Sequence, residues 1–194
     1  MHRIELVLAI VTISCAALAQ GVSSPASDNP TLTHLFEVDQ AARQGKDIDW
    51  SKLRVEDEDR RQQVRRMLDA GEVKTGGDYF HAALVFQHGT QPEDYLLAHI
   101  LAVNSVILGD RDARWLAAAT LDRYLNRTGK FQVFGTQFGP TKEGPLGQLP
   151  MDPNVLSDSI RTLNCVIPLP EQKKRIDDFK NKAPFQSTSI KNCP

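Results

Sequence analysis

The stretch PEDYLLAHILAVNSVILGDRDARWLAAATLDRYL, residues 92–125, decides the fold class. It holds two segments in which apolar residues cover almost the whole circumference of a helix, Leu96–Leu108 and Trp115–Leu125. A helix that is apolar on every side is normally surrounded by protein. Gly109 and Asp110 separate the segments as a helix stop and a helix cap. The stretch therefore predicts two antiparallel helices at the centre of a helical fold.

Three further helices are predicted upstream of this centre. Asn29 and Pro30 begin the first helix and Gly45 ends it, while Asp78 is predicted to cap the third. The second carries many charged side chains, which indicates a solvated face. The predicted helices are residues 30–45, 55–70, 79–88, 92–109 and 110–127. This order favours an all-α fold of helical hairpins in an orthogonal or solenoid-like bundle.

The chain changes character after Lys130. Residues 131–153 are rich in Gly, Pro and Gln, which predicts an ordered, largely extended segment lying across the helices. A short strand is predicted within it at residues 131–134. Two last helices are predicted at residues 154–164 and 170–180, separated by the extended stretch VIPLP.

The first residues have the pattern of a secretory signal peptide. A short positive start and an apolar run precede a small-residue cleavage signal that ends at Ala19. We expect residues 1–19 to be removed, residues 20–29 to form a flexible leader and residues 30–194 to fold as one domain. The apolar run is too short to span a bilayer, so no membrane span is expected after cleavage. The alternative is a lipoprotein attached through Cys15.

Export also bears on the cysteines and on possible partners. Cys165 and Cys193 remain after cleavage, and an oxidising compartment favours a disulfide between them. The alternative is two unpaired thiols. The formal net charge is −1, and without a basic excess nucleic-acid binding is not expected.

Three polar side chains are predicted to share one level of the bundle. His81 and His99 lie at equal distances from the turn near Thr90, and His99 and Asp122 lie at similar distances from the next turn. Short connections make neighbouring helices antiparallel, so these groups should meet. Because a buried imidazole or carboxylate needs a hydrogen-bonding partner, we expect the three to bond to one another.

Three interpretations of this layer stay open. His81, His99 and Asp122 could bind zinc or iron, although their spacing matches no familiar metal motif. Without any cofactor, Asp122 could instead orient His99 as a general base. The third interpretation is a polar layer that fixes the register of the helices and does no chemistry.

Two further charged candidates lie close to the layer in sequence. His88 is an alternative catalytic base, or it stabilises the carboxyl end of its helix by charge. Arg123 follows Asp122 directly and is predicted to bind an anionic group.

Amide and hydroxyl side chains around the extended segment are the candidate ligand contacts. They are Gln87, Gln132, Thr136 and Gln137. Gly135 permits a close backbone approach between them. The alternative is that the aromatic residues of this segment, Phe131, Phe134 and Phe138, pin it to the helices.

Four short motifs together resemble a bacterial family of domains of unknown function. They are QHG at residues 87–89, DYLLAH at 94–99, ATLDRY at 119–124 and FGTQ at 134–137. The resemblance extends over roughly residues 55–172. It implies a predominantly helical domain with polar residues gathered near the FGTQ loop, and it assigns no reaction. Phe134 stands where tyrosine is common in the motif.

Two functions are compatible with these observations. The first is an exported domain that handles a small molecule or a peptide, with a hydrolytic site formed by His99 or His88, Asp122 and Arg123. The second is a non-catalytic helical module that binds another protein.

Overall fold

The computed structural model of this chain describes residues 26–142, 144–181, 187–191 and 193. These residues form mainly α-helices and one small sheet, so the predicted all-α class is confirmed. The elements are α1 (Pro30–Ala41), α2 (Trp50–Asp69), α3 (Gly76–Phe86), α4 (Pro92–Ile107), α5 (Ala113–Arg127), β1 (Phe138–Thr141), β2 (Gly144–Gln148), α6 (Asp158–Leu163) and α7 (Leu169–Lys180). The predicted signal peptide, Cys15 and residues 20–25 of the predicted leader lie outside the described residues.

Side-chain caps set where the first three helices begin. Asn29 caps α1 as predicted, but Asp49 caps α2 and starts it at Trp50 rather than at Val55. The predicted role of Asp78 as the cap of α3 is wrong. Thr75 is the cap, and Asp78 is the third helical residue, whose carboxylate completes a capping box.

The core lies among α1 to α5. Buried apolar side chains of these five helices form one cluster around Phe86, Ala98 and Leu101, with α3, α4 and α5 packed side by side. The predicted central helices therefore occupy the centre of the cluster. Within the part of the chain that the structure describes, no helix combines the length and the apolar character that a bilayer crossing requires.

The extended segment contains a hairpin, but not where a strand was predicted. β1 and β2 pair antiparallel, with an irregularity between Gly139 and Thr141. The predicted strand at residues 131–134 is wrong, because only Gln132 forms an isolated bridge there, with Met151. A second apolar cluster joins this segment to α5 and to the chain after α6, through Ala118, Phe134 and Val166.

The predicted disulfide is present and holds the last described residues. Cys165 and Cys193 are bonded, with their Cα atoms 5.5 Å apart. The backbone nitrogen of Ile167 donates to the carbonyl of Thr188, and Ile190 donates in the same way to Cys165. A guanidinium nitrogen of Arg114 adds a hydrogen bond to the carbonyl of Cys193. The last part of the chain is thereby attached to α5 as well as to the turn after α6.

Candidate functional site

An acidic residue, Asp39, lies on the buried face of α1. Leu32 and Leu35 are the buried apolar residues of this helix, and Asp39 follows at the spacing that continues their face. Its exposed fraction is 1 %. A carboxylate this deeply buried needs hydrogen bonds or opposite charges to offset the loss of water. The surroundings of Asp39 supply both.

Four groups converge on the Asp39 carboxylate. Oδ2 accepts a hydrogen bond from Nδ1 of His88 at 2.9 Å and another from the Gln40 amide at 2.8 Å. Oδ1 accepts one from Arg43 at 2.9 Å, and Nε of Arg60 lies 3.6 Å from it. His88 is 49 residues away along the chain, so the fold alone creates this contact. We call Asp39 and His88 the Asp39–His88 pair.

A second buried carboxylate holds the two arginines in place. Asp57 of α2 binds Arg43 at 2.6 Å through one oxygen and Arg60 at 2.6 Å through the other. Burial raises the pKa of the Asp57 carboxyl, but the hydrogen bonds from Arg43 and Arg60 outweigh it and hold the pKa below its usual range. Both arginines thus lie between two carboxylates, and the charges around Asp39 are balanced.

This arrangement corrects the interpretation of α2. Its charges were predicted to form a solvated face, yet Asp57, Arg60 and Arg61 are 6 %, 5 % and 4 % exposed. The physical reason is that these side chains form ion pairs and hydrogen bonds with one another and with three neighbouring parts of the fold: α1, the turn after α3, and α4. These contacts offset the free-energy cost of removing the charges from water.

The imidazole of His88 remains partly accessible. It lies in the turn between α3 and α4, and its side chain is 19 % exposed. Nδ1 donates to Asp39, and no described residue is hydrogen-bonded to Nε2. The carbonyl of His88 accepts a hydrogen bond from Arg61 at 3.1 Å, which fixes the backbone of this turn. A carboxylate that orients an imidazole through Nδ1 leaves Nε2 as the basic nitrogen.

The predicted layer of His81, His99 and Asp122 does not form. Nδ1 of His99 donates to the carbonyl of Ala117 at 2.9 Å. The His81 ring stacks on Phe36 with centroids 4.4 Å apart, and burial lowers the pKa of its imidazole. The prediction that the three bond to one another is wrong, because His99 bonds to Ala117, His81 to the Thr33 hydroxyl and Asp122 to the FGTQ loop.

The metal interpretation fails with the layer. Among the described residues, no group of three or more His, Cys, Asp or Glu side chains is arranged to hold a metal ion. His81, His99 and Asp122 are therefore not assembled as ligands.

Asp122 instead organises the FGTQ loop. It is fully buried on α5, and its Oδ1 accepts from the backbone nitrogens of Val133 at 2.8 Å and Phe134 at 3.0 Å. Its Oδ2 accepts from the backbone nitrogen and the hydroxyl of Thr136, at 2.9 and 2.8 Å. One carboxylate therefore fixes the loop to the helix, and it orients no histidine.

The predicted ligand-binding amides are occupied within the protein. Gln132 is buried, donates to the carbonyls of Gln137 and Leu149, and accepts from the backbone nitrogen of Gln137. The Gln137 side chain donates to Ala119 and accepts from Arg123. These bonds favour the alternative in which the loop is pinned to the helices. Of the three aromatic residues expected to pin it, Phe134 is buried and Phe131 is 61 % exposed.

Arg123 joins three parts of the fold. Its Nε donates to Gln137 at 3.0 Å, and a terminal nitrogen donates to the carbonyl of Gln87 at 2.6 Å. Its guanidinium also lies 5.8 Å from the centroid of the Tyr95 ring. Burial lowers the pKa of Arg123. Gln87 therefore contributes its carbonyl to this junction, and Arg123 connects the end of α3 with the FGTQ loop.

Sequence reasoning named His88 but missed its partner. The available signal was the spacing of Leu32, Leu35 and Asp39, which places an acid on the apolar face of an amphipathic helix. The same signal is present in α2, where Asp57 and Arg60 stand on the face of Leu53 and Val64.

No family model, curated protein or solved structure matches this chain. The resemblance to a bacterial family of domains of unknown function therefore stays a prediction.

Proposed function

We propose that this chain is an exported protein that handles a small molecule at an acid/base site formed by the Asp39–His88 pair. The carrying observation is the 2.9 Å hydrogen bond between the fixed carboxylate of Asp39 and Nδ1 of a partly exposed His88. His88 is the general base through Nε2, and Asp39 replaces Asp122 as the residue that orients it. Asp39 touches no substrate in this scheme and is a positioning residue.

The two buried carboxylates of the site have arginine partners. Each of Asp39 and Asp57 is already matched by an arginine, since Arg43 and Arg60 lie between them. A neutral imidazole with a buried carboxylate behind it can take a proton from water or from a substrate hydroxyl and return it later. Hydrolysis of an ester or a phosphoester is a reaction class that such a base serves.

Export is part of the proposal. It is supported by the pattern of the first 19 residues and by the Cys165–Cys193 disulfide, which is typical of oxidising compartments. The resemblance to a bacterial family of domains of unknown function is kept as a proposal too, since the QHG motif contains His88.

Nitrogen NMR of the imidazole rings tests the pair without a known substrate. We expect His88 in its neutral form to carry the proton on Nδ1, and Asp39→Asn to change this tautomer population. Acylation by diethyl pyrocarbonate, followed by mass spectrometry, gives a second readout, since the reagent attacks the unprotonated nitrogen. We expect Asp39→Asn to slow the acylation of His88, with the exposed His34 as internal reference.

Activity screening on ester and phosphoester substrates completes the test. His88→Gln should lower any turnover by roughly 100-fold to 10,000-fold, the usual range for removal of a general base. His99→Gln should leave turnover in place, because the His99 ring is bonded to a backbone carbonyl on α5. Turnover that survives His88→Gln and is lost in His99→Gln would contradict the assignment.

The second candidate function is the non-catalytic binding module, which one observation supports. Ile100, Val103 and Ile107 form an exposed apolar stripe on α4, at 48 %, 36 % and 74 % exposure. Stripes of this kind often mark protein-binding faces. The Asp39→Asn variant distinguishes the two candidate functions. If it loses stability while the tautomer and the acylation rate of His88 stay unchanged, the binding module is favoured.

A further inference from the structure

An arginine-lined pocket lies on α2, close to the turn that carries His88. Its volume is about 250 Å³. Charged side chains dominate its wall, together with one aromatic ring, and the lining residues are Glu58, Arg61, Gln62, Arg65, Arg66, Phe86 and Asp94. The α2 residues among them recur at intervals of three and four, so they occupy one side of the helix. We call this the α2 pocket.

The first arginine of the α2 pocket is fully compensated. Arg61 binds Glu58 at 2.6 Å, donates to the carbonyl of His88 at 3.1 Å and lies 3.9 Å from Asp94. Its side chain is 5 % exposed. Asp94 also accepts hydrogen bonds from the backbone nitrogens of Thr90 and Gln91. The two acids of the pocket thus interact with Arg61 and with the α3–α4 turn, and Arg61 forms a buried part of the pocket wall.

The other two arginines are not compensated. Arg65 and Arg66 are exposed, and no carboxylate of the described residues lies within ion-pair distance of either. The guanidinium of Arg65 lies over the Phe86 ring, 5.1 Å from its centroid. Stacking on an aromatic face fixes the orientation of a guanidinium and leaves the N–H groups at its edge free to donate hydrogen bonds. The pocket therefore keeps a net positive charge and one pre-oriented guanidinium.

We propose that the α2 pocket binds a small molecule through an oxyanion, a carboxylate or a phosphate group. A guanidinium offers paired N–H donors that match two oxygens of such a group, and Arg66 adds a second positive charge beside it. The volume suits a small ligand or one end of a larger one, since pockets for drug-sized ligands start at roughly 300 Å³. The inference does not depend on the Asp39–His88 pair, although Arg61 contacts both sites.

Binding can be measured on the full chain with two simple probes. Inorganic phosphate and succinate would be titrated separately at low ionic strength, where charged contacts are least screened. The readouts are calorimetry and the NMR signal of the Arg65 Nε–H group. Arg65→Gln and Arg66→Gln each remove one charge, and Arg65→Lys keeps the charge but loses the planar fork. Arg54→Gln is the matched control, because Arg54 is an exposed arginine of α2 outside the pocket.

The proposal expects saturable binding of at least one probe, weakened roughly tenfold or more by Arg65→Gln, as for loss of a charge-assisted hydrogen bond. Arg65→Lys should also weaken it, and Arg66→Gln tests the same pocket if Arg65→Gln folds poorly. Phosphate binding without succinate binding, or the reverse, supports the proposal and identifies the anion. Absence of saturation with both probes at about 10 mM, or equal weakening by Arg54→Gln and Arg65→Gln, would overturn it.

Discussion

Replacing Asp122 by asparagine should destabilise the FGTQ loop and the whole fold. The carboxylate accepts four hydrogen bonds, three from backbone nitrogens and one from the Thr136 hydroxyl. Asparagine has nearly the same shape but only one acceptor oxygen. In its better orientation this oxygen serves Val133 and Phe134, and the new NH₂ group faces Thr136. The hydroxyl of Thr136 can turn and accept from the NH₂, whereas its backbone nitrogen is left without an acceptor.

The cost follows from these groups. One buried donor without an acceptor costs about 1–3 kcal/mol, and the remaining bonds lose the strengthening that a charged acceptor gives. We expect Asp122→Asn to lower the free energy of unfolding by about 2–4 kcal/mol, a large part of the roughly 5–15 kcal/mol typical of a folded protein. Urea denaturation measures this loss, and hydrogen exchange should show faster exchange at Val133, Phe134 and Thr136.

Asp177→Asn is the matched control. Asp177 is an exposed aspartate that pairs with Lys173 on α7, and loss of such a pair costs about 1 kcal/mol at most. If Asp122→Asn destabilised no more than this control and left the three amide exchange rates unchanged, the carboxylate would not be holding the loop. If Asp122→Asn kept its stability but lost the binding of a small ligand, the FGTQ loop would again be a candidate ligand site.

Two further predictions concern the disulfide and pH. Cys193→Ser opens a loop closed between residues 28 apart, so the free energy of unfolding should fall by roughly 3–4 kcal/mol, and reductant should lower the melting temperature of the wild type but not of the variant. Burial lowers the pKa of His81, so the unfolded chain takes up that proton first as the pH falls. Urea denaturation should therefore show stability declining below about pH 6.5, and His81→Gln should flatten that decline; an unchanged slope would contradict it.

Helix positions were largely predictable because glycines and caps are local signals. Gly71, Gly109 and Gly129 follow α2, α4 and α5 with positive φ, as a helix stop requires. The predicted start of α2 at Val55 is late because the Asp49 side chain caps the helix six residues earlier. The hairpin could not be predicted because Gly and Pro dominate β1 and β2. The two strands pair through backbone contacts, and their sequences lack the alternation of apolar and polar side chains that indicates a strand.

The site was harder to predict for a geometric reason. Equal distance from a turn sets the height of a residue along a helix, but each residue also turns the side chain by about 100° around the axis. His99 therefore has the expected neighbour helix, α5, yet it reaches Ala117 and not Asp122. The Asp39–His88 contact joins α1 to the turn after α3, and comparing distances from a shared turn does not relate these two parts of the chain. The one sequence signal for this contact is Asp39 itself, an acidic residue on the apolar face of α1.

The disulfide has one consequence for handling the protein. Because Cys193 is joined to Cys165, a protease that cuts the chain anywhere between these residues leaves the two fragments covalently attached. A nicked sample would keep the mass of the intact chain plus the one water that hydrolysis adds, and it would release the smaller fragment only after reduction. Comparing the two masses is therefore needed before any preparation is taken as intact.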